Sequence, residues 1–342
     1  MKNAFIALCA LLLAASSLAQ PAHPTSAPSA GGGKTLRQIA TIDLPGPPGK
    51  RFDYLTIDPN DHWLLSAHLA AGLLYVIDVN TNTLVATVKD VPGVEGVEYV
   101  PEKRKVYTSD WQENKVGVVD LGKMEVVKRI PVGDKPDGSV YAAAFGKLYV
   151  SNERGKTVSA ISVETDTVVN TLKFDSETGM PQFDSSDRLL WVNLQDQNLI
   201  AVIDPANDRV LGKYPVGDCK GNHGMALDNA HRRAFLACEG NDQLTVFDID
   251  AYKPVASVKL PKGVDVVKYD PGLGRIYAAC SSGAIAVIQQ DDADLYRKLE
   301  DFKVQPRVHS LAVDPRTHRV YAPEQEEDGK PVAKMIVYEA VK

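Results

Sequence analysis

Seven positions spaced 42 or 44 residues apart carry Asp53, Glu95, Asp137, Gly179, His223, Asp265 and His309. Six of those seven side chains can ligate a metal ion or move a proton. Two imidazoles with carboxylates suit a divalent transition metal that keeps positions open for water or substrate. The expected ligands are His223, Asp265, His309 and Asp53. Glu95 and Asp137 are then left to contact a ligand or to act as general base, with His68 as a further catalytic candidate. His68 and Glu324 lie 15 residues after Asp53 and His309, where they could orient metal ligands from behind. Arg51 and Arg307, each two residues before a member of the series, could clamp an anionic group, and Trp111 could stack on a ligand. Gly179 is expected to leave a gap through which a small molecule enters. The opposing expectation is a set of polar side chains merely solvated at the edge of a wet channel.

Scattered residues converge only if the chain is wound regularly, and two more columns keep the same spacing. Twelve residues after the first come Leu65, Tyr107, Tyr149, Trp191, Phe235, Tyr277 and Tyr321; three residues further come His68, Asp110, Asn152, Leu194, Cys238, Cys280 and Glu324. Between columns, apolar and polar residues alternate as in half-buried strands, and turn residues separate the runs. The fifth unit reads as strands 224–228, 233–238, 244–249 and 254–260, joined by Asp228-Asn-Ala-His231, Glu239-Gly-Asn-Asp242 and Asp250-Ala-Tyr-Lys253. A repeat of this length with four short strands predicts a seven-bladed β-propeller, all β, with the first column at the mouth of a central channel. The last unit lacks an outer strand, and residues 35–44 could supply it, closing the ring without leaving an open edge. Aspartates ending the third strands (Asp78, Asp120, Asp204, Asp248) read as local turn braces.

Residues 1–19 read as an export leader: Lys2, an apolar stretch too short to span a bilayer, and Ser17-Leu18-Ala19 before the cut. Residues 20–34, rich in Pro, Ser and Gly, read as a flexible linker, and 35–342 as one propeller. A periplasmic or secreted monomer without a membrane span is expected. With 38 Lys and Arg against 44 Asp and Glu, the net charge of −6 and the lack of a basic run argue against nucleic acid. No CxxCH run points to heme, and no glycine-rich phosphate loop points to a nucleotide. Three cysteines follow the leader, and an oxidising compartment favours pairing. A hairpin centred on Ala230-His231 sets Cys238 opposite His223 and near Cys219, so Cys219–Cys238 is the expected disulfide. Cys238–Cys280 is the competing pair, harder to close across neighbouring blades.

The segments Tyr107-Thr-Ser-Asp110 and Leu148-Tyr-Val-Ser-Asn152 resemble the tetrapeptide of the YVTN-repeat β-propellers. With 51–58, 223–228 and 235–241, they make residues 35–342 similar to exported YncE-like members of that family. The resemblance implies a secreted or periplasmic seven-bladed ring; looser relatives include lactonases, streptogramin lyases and surface-layer proteins. Three functions are therefore in view. The first is a protein binding a divalent metal ion or small ligand at its channel mouth. The second is a metal-dependent lactonase or lyase using the same residues, and the third a scaffold for envelope proteins.

Overall fold

The computed structural model describes residues 33–58 and 60–341. The expected leader and residues 20–32 of the expected linker lie outside them. Seven four-stranded antiparallel sheets form a β-propeller. Blade 1 holds Leu55–Asp58, Trp63–His68, Leu73–Asp78 and Thr83–Lys89, from the inside outwards. Blades 2 to 6 begin with the inner strands Val94–Val100, Pro136–Ala142, Thr178–Asp184, Asn222–Asp228 and Val264–Asp270. Blade 7 holds Ala312–Asp314, Arg319–Glu327 and Lys330–Ala340, and its outer strand is Leu36–Asp43 from the other end of the chain. That pairing runs from Leu36 opposite Ala340 to Asp43 opposite Lys334, so both ends of the ring are locked into one sheet.

Among the described residues the core is divided into seven apolar clusters, one at each blade junction. The aromatic column supplies their largest members: Tyr107, Tyr149, Trp191, Phe235, Tyr277 and Tyr321 are all buried. Several of these rings also carry a polar tip across the junction. Tyr107 donates to Asp166 and Tyr149 to Asp208, each in the outer turn of the following blade, and Tyr321 donates to the Val79 carbonyl at 3.3 Å. A buried hydroxyl thus finds its acceptor, and neighbouring blades are fixed in angle as well as in contact. The third-strand aspartates brace turns: Asp78, Asp120, Asp204 and Asp248 each accept the backbone N–H two residues on, at 2.7, 2.8, 2.9 and 3.0 Å.

The second and third strands of blade 7 form a lengthened hairpin, with Glu327 opposite Lys330 across Asp328-Gly329. Both turn residues have positive φ (49° and 76°), the two-residue turn whose twist suits such a hairpin. Cys238 lies opposite Asn222 rather than His223, because the inner strand of blade 5 shifts register between Asn222 and Met225.

Candidate site at the channel mouth

The same register shift recurs in blades 2 to 6, at Val94/Val97, Pro136/Ser139, Thr178/Pro181, Asn222/Met225 and Val264/Val267. In each blade two inner-strand residues face one partner: Glu95 and Gly96 face Ser109, and His223 and Gly224 face Ala237. Blade 1 repeats this, since the Asp53 N–H donates to the Ala67 carbonyl and the Ala67 N–H donates back to Tyr54. This is a β-bulge, which bends a strand and re-aims its side chain. In blades 1 to 6 the column falls on its first position, so the bulge directs those side chains into the mouth.

Glycine follows the column at positions 96, 138 and 224 because adjacent inner strands nearly touch. A Cβ on Gly96 would sit 2.1 Å from the Asp137 carbonyl oxygen, and one on Gly224 would sit 2.1 Å from that of Asp265. Gly179 serves the same end: its Cβ would fall 2.8 Å from the His223 carbonyl oxygen. The gap expected there is filled by the backbone of blade 5.

The four expected metal ligands separate into two pairs. His309 Nε2 is 3.7 Å from Asp53 Oδ2, and Arg51 inserts beside both, Nη2 3.0 Å from Asp53 Oδ2 and Nε 3.3 Å from His309 Nε2. A guanidinium therefore already occupies the place a cation would take between Asp53 and His309. His223 Nε2 lies 3.4 Å from Asp265 Oδ1 and 3.7 Å from Asp137 Oδ2, and 2.8 Å from the Tyr54 hydroxyl. Among the described residues no three His, Cys, Asp or Glu side chains stand together closely enough to hold a metal ion as they are. Three carboxylate oxygens, Glu95 Oε2, Asp137 Oδ2 and Asp265 Oδ1, are buried and accept no hydrogen bond.

The electrostatics follow from burial and crowding. Burial, then Asp137 and Asp53, push Glu95 up to about 10, so it carries a proton at neutral pH. Burial raises Asp137 to about 7 although His223 opposes the shift. For His223 burial favours the neutral ring, yet Asp265 and Asp137 together outweigh it and lift the imidazole to about 9. Asp53 stays below the usual carboxylate range: burial works against this, and His309 and Arg51 overcome it. His309 receives opposing pulls. Its Nδ1 lies 3.0 Å from the Arg307 carbonyl, and its Nε2 faces both Arg51 and Asp53. The net direction is upward, since after burial the carboxylates Asp53 and Asp265 outweigh one guanidinium.

A cavity of about 370 Å³ opens over blades 5, 6, 7 and 1, lined by Arg51, Arg307, His309, Asp265, Glu239 and Gln325 among others. Arg307 is largely exposed, 3.7 Å from Glu326, so its charge faces the opening. Trp111 lies on the same face beneath Arg154, whose guanidinium carbon is 5.6 Å from the ring centre, and its buried Nε1 has no acceptor. His68 is placed otherwise. It is wholly buried, stacked on Phe52 at 4.0 Å, with Nδ1 2.8 Å from the Tyr75 hydroxyl and Nε2 3.2 Å from the Lys50 carbonyl. Burial pulls it down to about 4, so it braces the 45–52 segment as a neutral ring. Glu324 is buried beside Glu327 and Lys334, and burial lifts it to about 7.

Cys219 and Cys238 are joined by a disulfide with Cα atoms 5.3 Å apart, which ties the approach to His223 onto the second strand of blade 5. Cys280 is free and buried.

Several site residues escape the three columns. Lys135 pairs with Glu153 near Glu95, and sits two residues before Asp137, the offset of Arg51 and Arg307. Glu153 and Glu239 follow the third column by one residue. Tyr54 follows Asp53, where the other blades carry Gly96, Gly138, Met180, Gly224, Val266 and Ser310. Asn193 donates to the carbonyls of His223 and Gly224 at 2.9 and 3.2 Å, holding the bulge across the junction.

No protein-family model matches the chain, and no curated protein matches it significantly. Among solved structures, one titled "Structure of U3-55K" aligns with a TM-score of 0.74 at 11% identity, over 87% of this chain and 98% of that chain. At that identity the likeness shows the fold alone. No helix among the described residues is long and apolar enough to cross a membrane.

Proposed function

We propose that this propeller is an exported binding protein that takes a small cation, a divalent metal ion or an ammonium group, at the arc of Glu95, Asp137 and Asp265. The observation that carries the reading is the set of three buried carboxyl oxygens without hydrogen-bond partners at one channel mouth, two of them, on Asp265 and Asp137, facing only His223 Nε2 at 3.4 and 3.7 Å. Buried acceptors left unpaired are costly, and a donor-rich or cationic ligand offsets that cost. His223 would supply a nitrogen donor after losing its proton, which couples metal uptake to proton release. Arg51 keeps Asp53 and His309 out of this set and, with Arg307, suits an anionic group on the same ligand. The leader-like residues 1–19, the resemblance to exported YVTN-type propellers and the Cys219–Cys238 disulfide support export. The test is elemental analysis of protein purified without chelator, with Glu95→Gln and Asp265→Asn compared with wild type. Metal content unchanged by both substitutions counts against a metal at this arc, and failure of methylammonium to bind as well rejects the reading.

One observation favours a catalytic second reading. Asp137, raised to about 7, stands 3.7 Å from His223, raised to about 9, a base and an acid poised near neutral pH. A lactonase or lyase would use Asp137 to accept a proton and His223 to return it. A screen of lactones and C–O lyase substrates, with and without chelator, addresses it; absence of turnover with cation bound leaves the binding reading alone.

A further inference from the structure

Below the mouth the channel is not empty space but a separate chamber. Tyr54 spans from blade 1 to His223 on blade 5, and its ring forms part of the roof of a cavity of about 190 Å³. That volume far exceeds the ~30 Å³ share of one water. Its walls bring together Glu98 of blade 2, Ser139 of blade 3, Gln182 of blade 4 and Lys268 of blade 6. Glu98 accepts the Tyr141 N–H at 3.1 Å. Among the described residues the Lys268 ammonium has no ion pair or hydrogen bond, feeling Glu98 only through space. The Ser139 hydroxyl is buried without a partner. A second cavity, of about 340 Å³, shares Leu55, Thr56 and Lys268 with the chamber and opens past Asp314 and Arg316 on the face opposite the mouth.

From this geometry we infer that the chamber is a second binding site, for a small hydroxy-carboxylate whose carboxylate meets Lys268 and whose hydroxyl meets Glu98. The charge balance agrees with an anion. Burial lifts Glu98 to about 8, leaving it mostly uncharged at neutral pH, and burial also lowers Lys268. Any charge on Lys268 is then uncompensated within the walls. A half-buried cation without a counter-ion is costly, and a bound carboxylate offsets this. Gln182 and Ser139 offer further hydrogen bonds, and entry from the face bearing Arg316 avoids the acidic mouth. This site is independent of the cation arc.

Calorimetric titration with sodium glycolate tests the assignment, with sodium acetate and sodium chloride as comparison anions. Glycolate is expected to bind wild type more tightly than acetate, with chloride a poor competitor. Lys268→Met should weaken glycolate at least tenfold, Glu98→Leu should erase its advantage over acetate, and the mouth variant Asp265→Asn should change neither. Absence of glycolate binding, displacement by chloride alone, or binding that survives Lys268→Met but is lost in Arg51→Gln would overturn it. Should the Lys268 variant not fold, a wild-type crystal soaked in glycolate reads the site directly. Density between Lys268 and Glu98 supports the assignment, and density only beside Arg51 and Arg307 overturns it.

Discussion

The Tyr54 hydroxyl lies 2.8 Å from His223 Nε2, although the two residues are 169 positions apart and belong to blades that are not neighbours in the ring. The bond crosses the channel and separates the acidic mouth from the chamber beneath. Tyr54→Phe keeps the ring and removes the bond, so unfolding in denaturant should show a loss on the order of 1 kcal/mol. Tyr54→Ala should cost more and join the two compartments.

Asp265 and Asp137 hold His223 as an imidazolium. NMR titration of the ring should give a midpoint near 9, and Asp265→Asn should lower it. A folded value above the unfolded one near 6.5 means that His223 stabilises the fold fully below that pH. The contribution is lost as pH rises through about 9.

Glu95 and Asp137 also bind protons more tightly folded than unfolded, with values near 10 and 7 against ordinary values near 4. They too subtract stability as pH rises, Asp137 between about 4 and 7 and Glu95 from about 4.5 towards 10. Melting temperature in chelator should therefore fall between pH 5 and 8, and Glu95→Gln should flatten that fall and raise the melting temperature at pH 8. A steeper slope in Glu95→Gln would contradict this balance.

The Cys219–Cys238 bridge closes a short loop beside His223. Replacing both cysteines by alanine should cost roughly 3 kcal/mol, by the entropy of closing a loop of about this size. Among the described residues a single thiol, Cys280, should be found, reactive only on unfolding.

The architecture was legible because each blade repeats the same strand problem. Spacing and alternation carry the strand order, and the lack of an outer strand in the last unit points to residues 35–44. The column of Asp53, Glu95, Asp137, His223, Asp265 and His309 was legible for the same reason. Its grouping was not, because spacing says which residues share a level but not which side chains reach each other. Arg51 reads equally as a ligand clamp or as the counter-ion it is to Asp53. The register of Cys238 differs by one residue from a regular hairpin because a bulge leaves no fixed sequence mark. Gly179 packs rather than opens, since absence of a side chain serves close packing as readily as an opening. Tyr54 could have been found as the sole aromatic in a column of small or aliphatic residues.

The most direct measurement is calorimetric titration of chelator-stripped protein with a divalent-cation panel and with methylammonium, at pH 6 and pH 8 in buffers of different ionisation heat. One-site binding that tightens at pH 8, releases protons and is lost in the combined Glu95→Gln, Asp137→Asn, Asp265→Asn variant is the predicted result. No binding by any of these cations, or equal affinity in that variant, would contradict a cation site at the mouth of the ring.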